Sequence, residues 1–498
     1  MHSSSSGELE TQRPVCRICW ENTCEVNGSE EFLSPTPCSC RDERSNVHQA
    51  CLERWILEAR SQGRFDAGTI CHACGDHYSH PALSLTVLSD EAVRDAKIST
   101  ASGGGEGVDH REPLAIIGGT GYVGRSLALH LLGHPTFRLG AIVGSSATVG
   151  KPFSAVFEKK EEALAEHYGA DLWKPMDFPT ELMSARVCGV EDVIERGECR
   201  TALSFIAPEH GEIEDRLAAA GIKVFSISPH ARFDPSNPLS VPEANPEVLK
   251  DAVDKAAGEG FEGDCHSLVK SPNCVTCGVV VALKALDAAF GVEDVSVTTF
   301  QSLSGRGDAK YPRDVVMGNV YPLHGTVERT GEYQHGELKR IMPDVKRVSV
   351  AAYRVPVQRG HLVDVRVRFR CETKPTARAV ERALSSFDPL RDVPLPSKPR
   401  RVIYVKPLDE EETGPRIGTP RPKDDHEYEG GMSVCVGNVV CEDELYDVRF
   451  CLVVNNVVRG AWGAALLNAE YWHWLKGRKT AAPGEEPAAP SAAARIEC

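Results

Sequence analysis

The sequence predicts a multidomain protein: a small zinc-bound module in front, then an α/β domain built on a parallel sheet, then an α+β domain with a mixed sheet. Three observations carry that prediction. Cysteines crowd residues 16–74; short apolar strands then alternate with helical segments; longer strands of alternating polarity follow from about residue 292. A chain of 498 residues also exceeds what one hydrophobic core serves.

The net charge of −15 argues against a general nucleic-acid or membrane-surface binder, since both need a positive field. No window approaches about 18 uninterrupted apolar residues, the length that reads as a membrane span. Residues 1–14 have no apolar core for secretion, which sets a cytoplasmic expectation, with the nucleus as the other reducing address. In such a compartment the 18 cysteines serve as ligands, nucleophiles or core residues rather than disulfides.

Residues 1–12 are expected to be disordered, 13–82 to form the zinc module, and 83–112 to be a linker containing "STASGGGEG". Within the module the candidate ligands run in pairs: Cys16 and Cys19, Cys38 and Cys40, His48 and Cys51, Cys71 and Cys74. Eight ligands fill two tetrahedral zinc sites and leave no open position, so the two Zn2+ ions are expected to be structural. The polar loops between pairs are too short to make a core, and the ions supply most of the folding energy. Cys24 falls outside the spacing and reads as an ordinary thiol. The order, with "CRIC", "PCSC" and "VHQACLERWI", resembles the RING-CH, or RING-variant, zinc domain of E3 ubiquitin ligases. That resemblance implies interleaved sites: Cys16, Cys19, His48 and Cys51 on one ion, Cys38, Cys40, Cys71 and Cys74 on the other. It also implies a face, with Ile18 and Trp55, that docks a ubiquitin-conjugating enzyme. A PHD histone reader shares the ligand order, normally with a shorter gap before its histidine.

The next unit, 113–272 completed by 455–477, is expected to be a Rossmann-type dinucleotide-binding domain. "PLAIIGG", "RLGAIVG", "TALSFIA" and "IKVFSIS" read as buried parallel strands, and "SLALHLL" as a helix face. In "LAIIGGTGYVGRSLALHLL", Gly118 permits the tight turn, Gly121 lets the backbone approach a pyrophosphate, and Gly124 lets the helix pack on the strand. Thr120, Tyr122 and Val123 complete the loop, and the helix N-terminus supplies amide donors. After the second strand stand Ser145 and Ser146, where NAD enzymes usually offer an acid, and Lys151 adds positive charge. NADP(H) is therefore favoured over NAD.

Residues 273–454 are expected to form the catalytic and dimerisation domain, and 478–498 a disordered tail. In "SPNCVTCGVV" Cys274 opens a helical run, where amides and dipole are expected to stabilise its thiolate; Cys277, one turn inside, is placed to pack. From about 113 to 477 the chain resembles aspartate-semialdehyde dehydrogenase, nearest its archaeal and fungal branch. The resemblance rests on "GGTGYVG", "GIKVFSISPHARFDPSNPLSVPEAN", "SPNCVTCG", "TFQSLSGRG", "RVPVQRGH", "GMSVCVG" and "NNVVRGAWGAALLNAE".

The resemblance implies a semialdehyde-dehydrogenase-type catalytic domain, a dimer or tetramer, and a small acyl-phosphate substrate. It implies NADPH-dependent reduction of L-aspartyl 4-phosphate to L-aspartate 4-semialdehyde through a cysteine thioester. Cys274 would be the nucleophile, Gln301 would orient the acyl group, and His361 would be the acid/base. Arg354, seven residues earlier on the same extended segment, would clamp the substrate carboxylate. Asn273 and Arg232 are candidates for the phosphate, and Asn455 or Asn456 for the nicotinamide carboxamide. Three features depart from the family pattern: the stretch with Glu332 and Tyr333 where a Glu and a Lys three apart are usual, Ala147 for an Arg, and Trp462 for a small residue near the nicotinamide. They keep two alternatives in view: a ubiquitin ligase on an inactive dehydrogenase-like platform, and a reductase of a related acyl phosphate or CoA thioester such as malonyl-CoA.

Overall fold

The computed structural model describes Leu52 and residues 109–480, apart from 170–172, 259–267, 306–312, 324–327, 407–417 and 442–443. The chain divides into Met1–His110 and Arg111–Cys498, and every strand described belongs to the second unit.

The first sheet contains β1 (Glu112–Ile117), β2 (Phe137–Val143), β3 (Val187–Cys188), β4 (Thr201–Ser204), β5 (Lys223–Ser226) and β6 (Leu268–Lys270). All pairs are parallel, in the order β3-β2-β1-β4-β5-β6. Successive side chains point to opposite faces, and both faces are covered, which explains the near-continuous apolar runs. Leu114 and Ile116 join one core and Ala115 and Ile117 the other. The helices that matter here are α1 (Tyr122–His130), α2 (Phe153–Tyr168), α3 (Glu212–Ala219) and α4 (Pro246–Gly258). At the strand ends Lys270 and Glu214 form a fully buried ion pair, and Ser204 and Ser226 each donate a 2.6 Å hydrogen bond to Glu214. That knot fixes the last residue of β6 four positions before Cys274.

The second sheet is mixed, as its alternating strands predict. It holds β7 (Val292–Gln301), β8 (Tyr321–Pro322), β9 (Arg347–Arg354), β10 (His361–Phe369), β11 (Ile403–Val405), β12 (Val434–Val440) and β13 (Val448–Val454), in the order β11-β12-β13-β10-β7-β9-β8. On its buried face lies α5 (Cys274–Phe290), flanked by α6 (Thr330–Ile341) and α7 (Ala377–Ser385). Helix α5 is apolar on nearly every side, the pattern of an interior helix rather than a surface one.

A π-helical turn, Val458–Trp462, leads into α8 (Gly463–Thr480), which returns to the first sheet and packs Leu466, Ala469 and Trp472 with Leu114 and Phe225. Helix α8 runs to Thr480, two residues past the expected start of the tail, and the basic residues of "KGRKT" suit the negative end of a helix dipole.

Candidate active site

Three strand ends meet one helix start. Gln301 ends β7, Arg354 ends β9 beside it in parallel register, and His361 opens β10 on the other flank. Arg354 and His361 therefore do not share one extended segment. The chain reverses through Gly360, whose φ of +81° suits glycine, and β7 lies between the two strands. Facing this edge is the N-terminus of α5, capped by Asn273, whose Oδ1 accepts the Val275 amide at 3.0 Å.

Cys274 Sγ lies 3.2 Å from His361 Nε2. Burial pushes the Cys274 thiol up to about 11, against the opposing pull of Arg354 and the Val275 amide. Burial first, and Arg354 second, hold His361 well below its ordinary range. Cys277 is fully buried and donates to the Pro272 carbonyl at 3.7 Å, a packing position.

The remaining polar groups are held by partners that sequence reading missed. Ser302 donates its amide to His361 Nδ1 at 2.9 Å and accepts Arg354 Nη1 on its carbonyl at 2.7 Å. Glu328 receives Arg354 Nη2 at 3.2 Å, both side chains being about 1 % exposed. Glu337 pairs with Arg232 at 2.8 Å and accepts the Asn273 amide at 2.9 Å and the Thr276 hydroxyl at 2.6 Å. Arg232 thus braces the start of α5 through Glu337. Gln334 donates to Asn273 Oδ1 at 3.0 Å and keeps its own buried Oε1 without a partner. Gln301 donates to Thr299 Oγ1 at 3.2 Å. Glu332 is half exposed, and Tyr333 stacks on Phe233 at 5.8 Å.

Glycines shape the walls. A Cβ on Gly460 of the π-turn would lie 2.6 Å from Cys274 Cβ, and one on Gly305 would lie 3.1 Å from His361 Cε1. The same π-turn reaches the cofactor side: Trp462 donates its indole N–H to Ser126 of α1 at 3.0 Å, and its ring lies 4.5 Å from that of His130, tilted by 37°. Its bulk is accommodated against α1.

The glycine turn fits a dinucleotide. Gly118 has φ +76°, and a Cβ on Gly124 would stand 2.6 Å from both Gly118 O and Gly119 Cα. Gly121 caps α1 with no side-chain bond, so no side-chain oxygen competes for the amides of the first turn. Thr120 is buried there, Val123 packs on the core below, and the Tyr122 ring meets Trp173 at 5.0 Å and the Arg359 guanidinium at 5.3 Å. Ser145, Ser146, Ala147 and Lys151 are exposed, with no carboxylate between 144 and 151. Asn456 is spent internally, accepting from Ser302 Oγ and the Gly360 amide and donating to Ser304. Asn455 Oδ1 caps the π-turn at the Val457 and Val458 amides.

Cys16, Cys19, Cys38, Cys40, His48, Cys51, Cys71 and Cys74 lie outside the described residues. Among the described residues no three metal-ligating side chains converge, and no helix is long and apolar enough to cross a membrane.

Comparison with known proteins agrees with this geometry. Residues 283–459 match the semialdehyde dehydrogenase, dimerisation domain family, and residues 16–74 match the RING-variant domain family. An aspartate-semialdehyde dehydrogenase of Trichophyton rubrum is 32% identical over 373 residues, spanning 72% of this chain and 96% of its own. That of Methanothermobacter thermautotrophicus is 29% identical, spanning 72% and 97%. The crystal structure of aspartate semialdehyde dehydrogenase with NADP from Candida albicans superposes with a TM-score of 0.62 at 25% identity, over 73% of this chain and 99% of that one. By fold, site and sequence, the chain belongs to the aspartate-semialdehyde dehydrogenase family.

Proposed function

We propose that the chain reduces L-aspartyl 4-phosphate to L-aspartate 4-semialdehyde with NADPH, through a thioester on Cys274. The observation that carries this reading is the 3.2 Å approach of Cys274 Sγ to His361 Nε2 at the mouth of α5. The Cys274 sulfur passes its proton to His361 as it attacks the acyl carbon; the C–O bond to phosphate breaks, its electron pair leaves with the phosphate, and His361 returns the proton to that leaving group. When bound in the glycine cradle, the reduced dinucleotide supplies hydride. Collapse of the reduced adduct then breaks the C–S bond and returns the pair to sulfur. Arg354 takes the substrate carboxylate with its fork. Glu328, beside it, takes the substrate ammonium in place of the exposed Glu332. Asn273 and the α5 amides receive phosphate, with Arg232 bracing them, while Gln301 orients the acyl group. Ser145, Ser146 and Lys151 meet the 2′-phosphate, and Asn455 the carboxamide.

The test is phosphate-dependent NADP reduction with aspartate semialdehyde. Wild-type turnover that falls by at least about 10³ in Cys274→Ser is expected. A wild type inert with this substrate overturns the substrate assignment, and a Cys274→Ser enzyme that still turns over overturns the thioester.

The RING-variant match favours a second unit at the front that holds two structural zinc ions and docks a ubiquitin-conjugating enzyme through Ile18 and Trp55. The match to a dimerisation-domain family supports a homo-oligomer that presents these modules together. Metal analysis of the full chain, with autoubiquitination compared in wild type and Cys16→Ser, tests the front unit; a zinc-free, unmodified chain rejects it.

A further inference from the structure

We propose that Gln334 reads the hydroxyl of hydrogenphosphate, so that the anion subsite beside Asn273 takes this oxyanion in preference to sulfate, a tetrahedral dianion without a hydroxyl. The inference deepens the reductase reading and rests on it only for the placing of phosphate at Asn273.

Two carboxamides fix the chemistry of the place. The Val275 amide can only donate, so the Asn273 side-chain atom 3.0 Å from it is the oxygen. The Gln334 atom 3.0 Å from that oxygen must then be the amide nitrogen. The other arm of Gln334 is its oxygen, which is buried without a partner. Gln334 is 2 % exposed and shares the inner face of α6 with Glu337, one turn further on. Glu337 holds Asn273 from its other side, accepting the Asn273 amide at 2.9 Å and pairing with Arg232 at 2.8 Å. That guanidinium likewise keeps its Nε buried without a partner. The network that holds Asn273 thus contains two unmet groups, an acceptor on Gln334 and a donor on Arg232. Cys274 Sγ, 3.8 Å from Asn273 Oδ1, puts that network beside the reacting sulfur.

A buried carboxamide oxygen left unmet costs free energy that a ligand with a donor recovers. Tetrahedral dianions differ in what they offer. Sulfate presents acceptors only, so it can serve Arg232 Nε but confronts Gln334 Oε1 with another lone pair. Hydrogenphosphate presents acceptors and one O–H, and both unmet groups are answered. The acceptor is also neutral, which suits the place, because a carboxylate there would repel every dianion. The fully ionised acyl phosphate carries no O–H, whereas the departing phosphate carries the proton that His361 returns to it. Gln334 therefore meets the leaving group only once it is protonated, and is a specificity residue for the product anion.

Protection of Cys274 from iodoacetamide, read by peptide mass on the full chain, tests the assignment without turnover. Three dianions are compared in mildly alkaline buffer at matched ionic strength: hydrogenphosphate, sulfate, and monofluorophosphate, in which fluorine replaces the hydroxyl. In the wild type, hydrogenphosphate should protect at a concentration at least about tenfold below the other two. In Gln334→Met, which keeps the volume but loses the carboxamide acceptor, the three should protect within about twofold of one another. Equal protection by the three anions in the wild type overturns the proposal. So does a preference that survives in Gln334→Met, because a residue that only braced Asn273 would weaken all three alike. Should that variant not fold, the wild-type preference decides alone. Protection by all three alike strikes the inference and leaves the reductase reading intact, whereas protection by none strikes the phosphate subsite and the inference with it. A chain that prefers hydrogenphosphate but does not turn over keeps the inference and loses the reductase reading.

Discussion

The two halves of the site are built by opposite means. On the catalytic side, side chains are held by buried polar groups from distant segments: Arg232 by the Glu337 carboxylate, Arg354 by the Glu328 carboxylate and the Ser302 carbonyl, His361 by the Ser302 amide. On the cofactor side the turn works through side chains that are missing, with Gly118 and Gly124 clearing backbone that any Cβ would block. The first half is therefore sensitive to charge, and the second to volume. Each of the changes below strikes one of those dependences.

The largest effect should come from Glu337→Gln. The amide retains the hydrogen bonds to Asn273 and Thr276 but leaves Arg232 buried without its counter-charge. Breaking such a pair costs about 3–5 kcal/mol, and urea unfolding should show that loss. A cost under about 1 kcal/mol would mean that the Ile227 carbonyl alone satisfies Arg232, and that charge is not what holds this half.

Next come two alanines that should separate the halves. Gly460→Ala forces atoms into Cys274, and displacement of the sulfur should lower kcat about 100-fold while cofactor binding persists. Gly124→Ala pushes α1 off the turn and should weaken NADPH binding about tenfold, with Cys274 alkylation unchanged. Exchanged outcomes would show that the π-turn, which touches Cys274 and α1 alike, couples the halves too tightly for the distinction to hold.

Acid should act on the catalytic half. The His361 ring takes a proton near 6.5 in the unfolded chain but far lower when folded, because of burial and Arg354. Below pH 6.5 the unfolded chain binds more protons, so stability is fully present above that value and is lost as pH falls. The slope from this one ring is up to about 1.4 kcal/mol per pH unit, and His361→Gln should flatten it in unfolding curves run from neutral to acid pH.

The uneven legibility of the sequence follows from the same contrast. Glycines between a strand and a helix announce a turn, and a cysteine after Pro-Asn announces a helix start, because both signals are local. Glu337 and Gln334 gave a weaker one: they share with Leu338 and Ile341 the buried face of α6, where a carboxylate demands a partner. Ser302 and Glu328 gave none, since their roles arise only when β7, β9 and β10 align. The thiol's surroundings were hidden for a related reason: a helix start favours the thiolate, and burial, which no local motif reveals, opposes it.

The smallest change returns to the cofactor side, where Ala147 stands in an exposed turn held by the Thr148 and Val149 amides on the Ser145 carbonyl. Ala147→Arg adds a guanidinium without touching that turn, beside Ser146 where a 2′-phosphate is proposed to lie. An exposed ion pair is worth about 0.2–1 kcal/mol, so NADP+ should bind about 1.4- to fivefold tighter while NAD+ does not. Because the pair is solvated, the gain should vanish near 1 M salt, where screening acts within about 3 Å. Calorimetric titration of both dinucleotides at low and high salt measures this. An equal gain for NAD+ would place the new charge on the shared pyrophosphate instead, and with it the specificity of this half somewhere other than the serine turn.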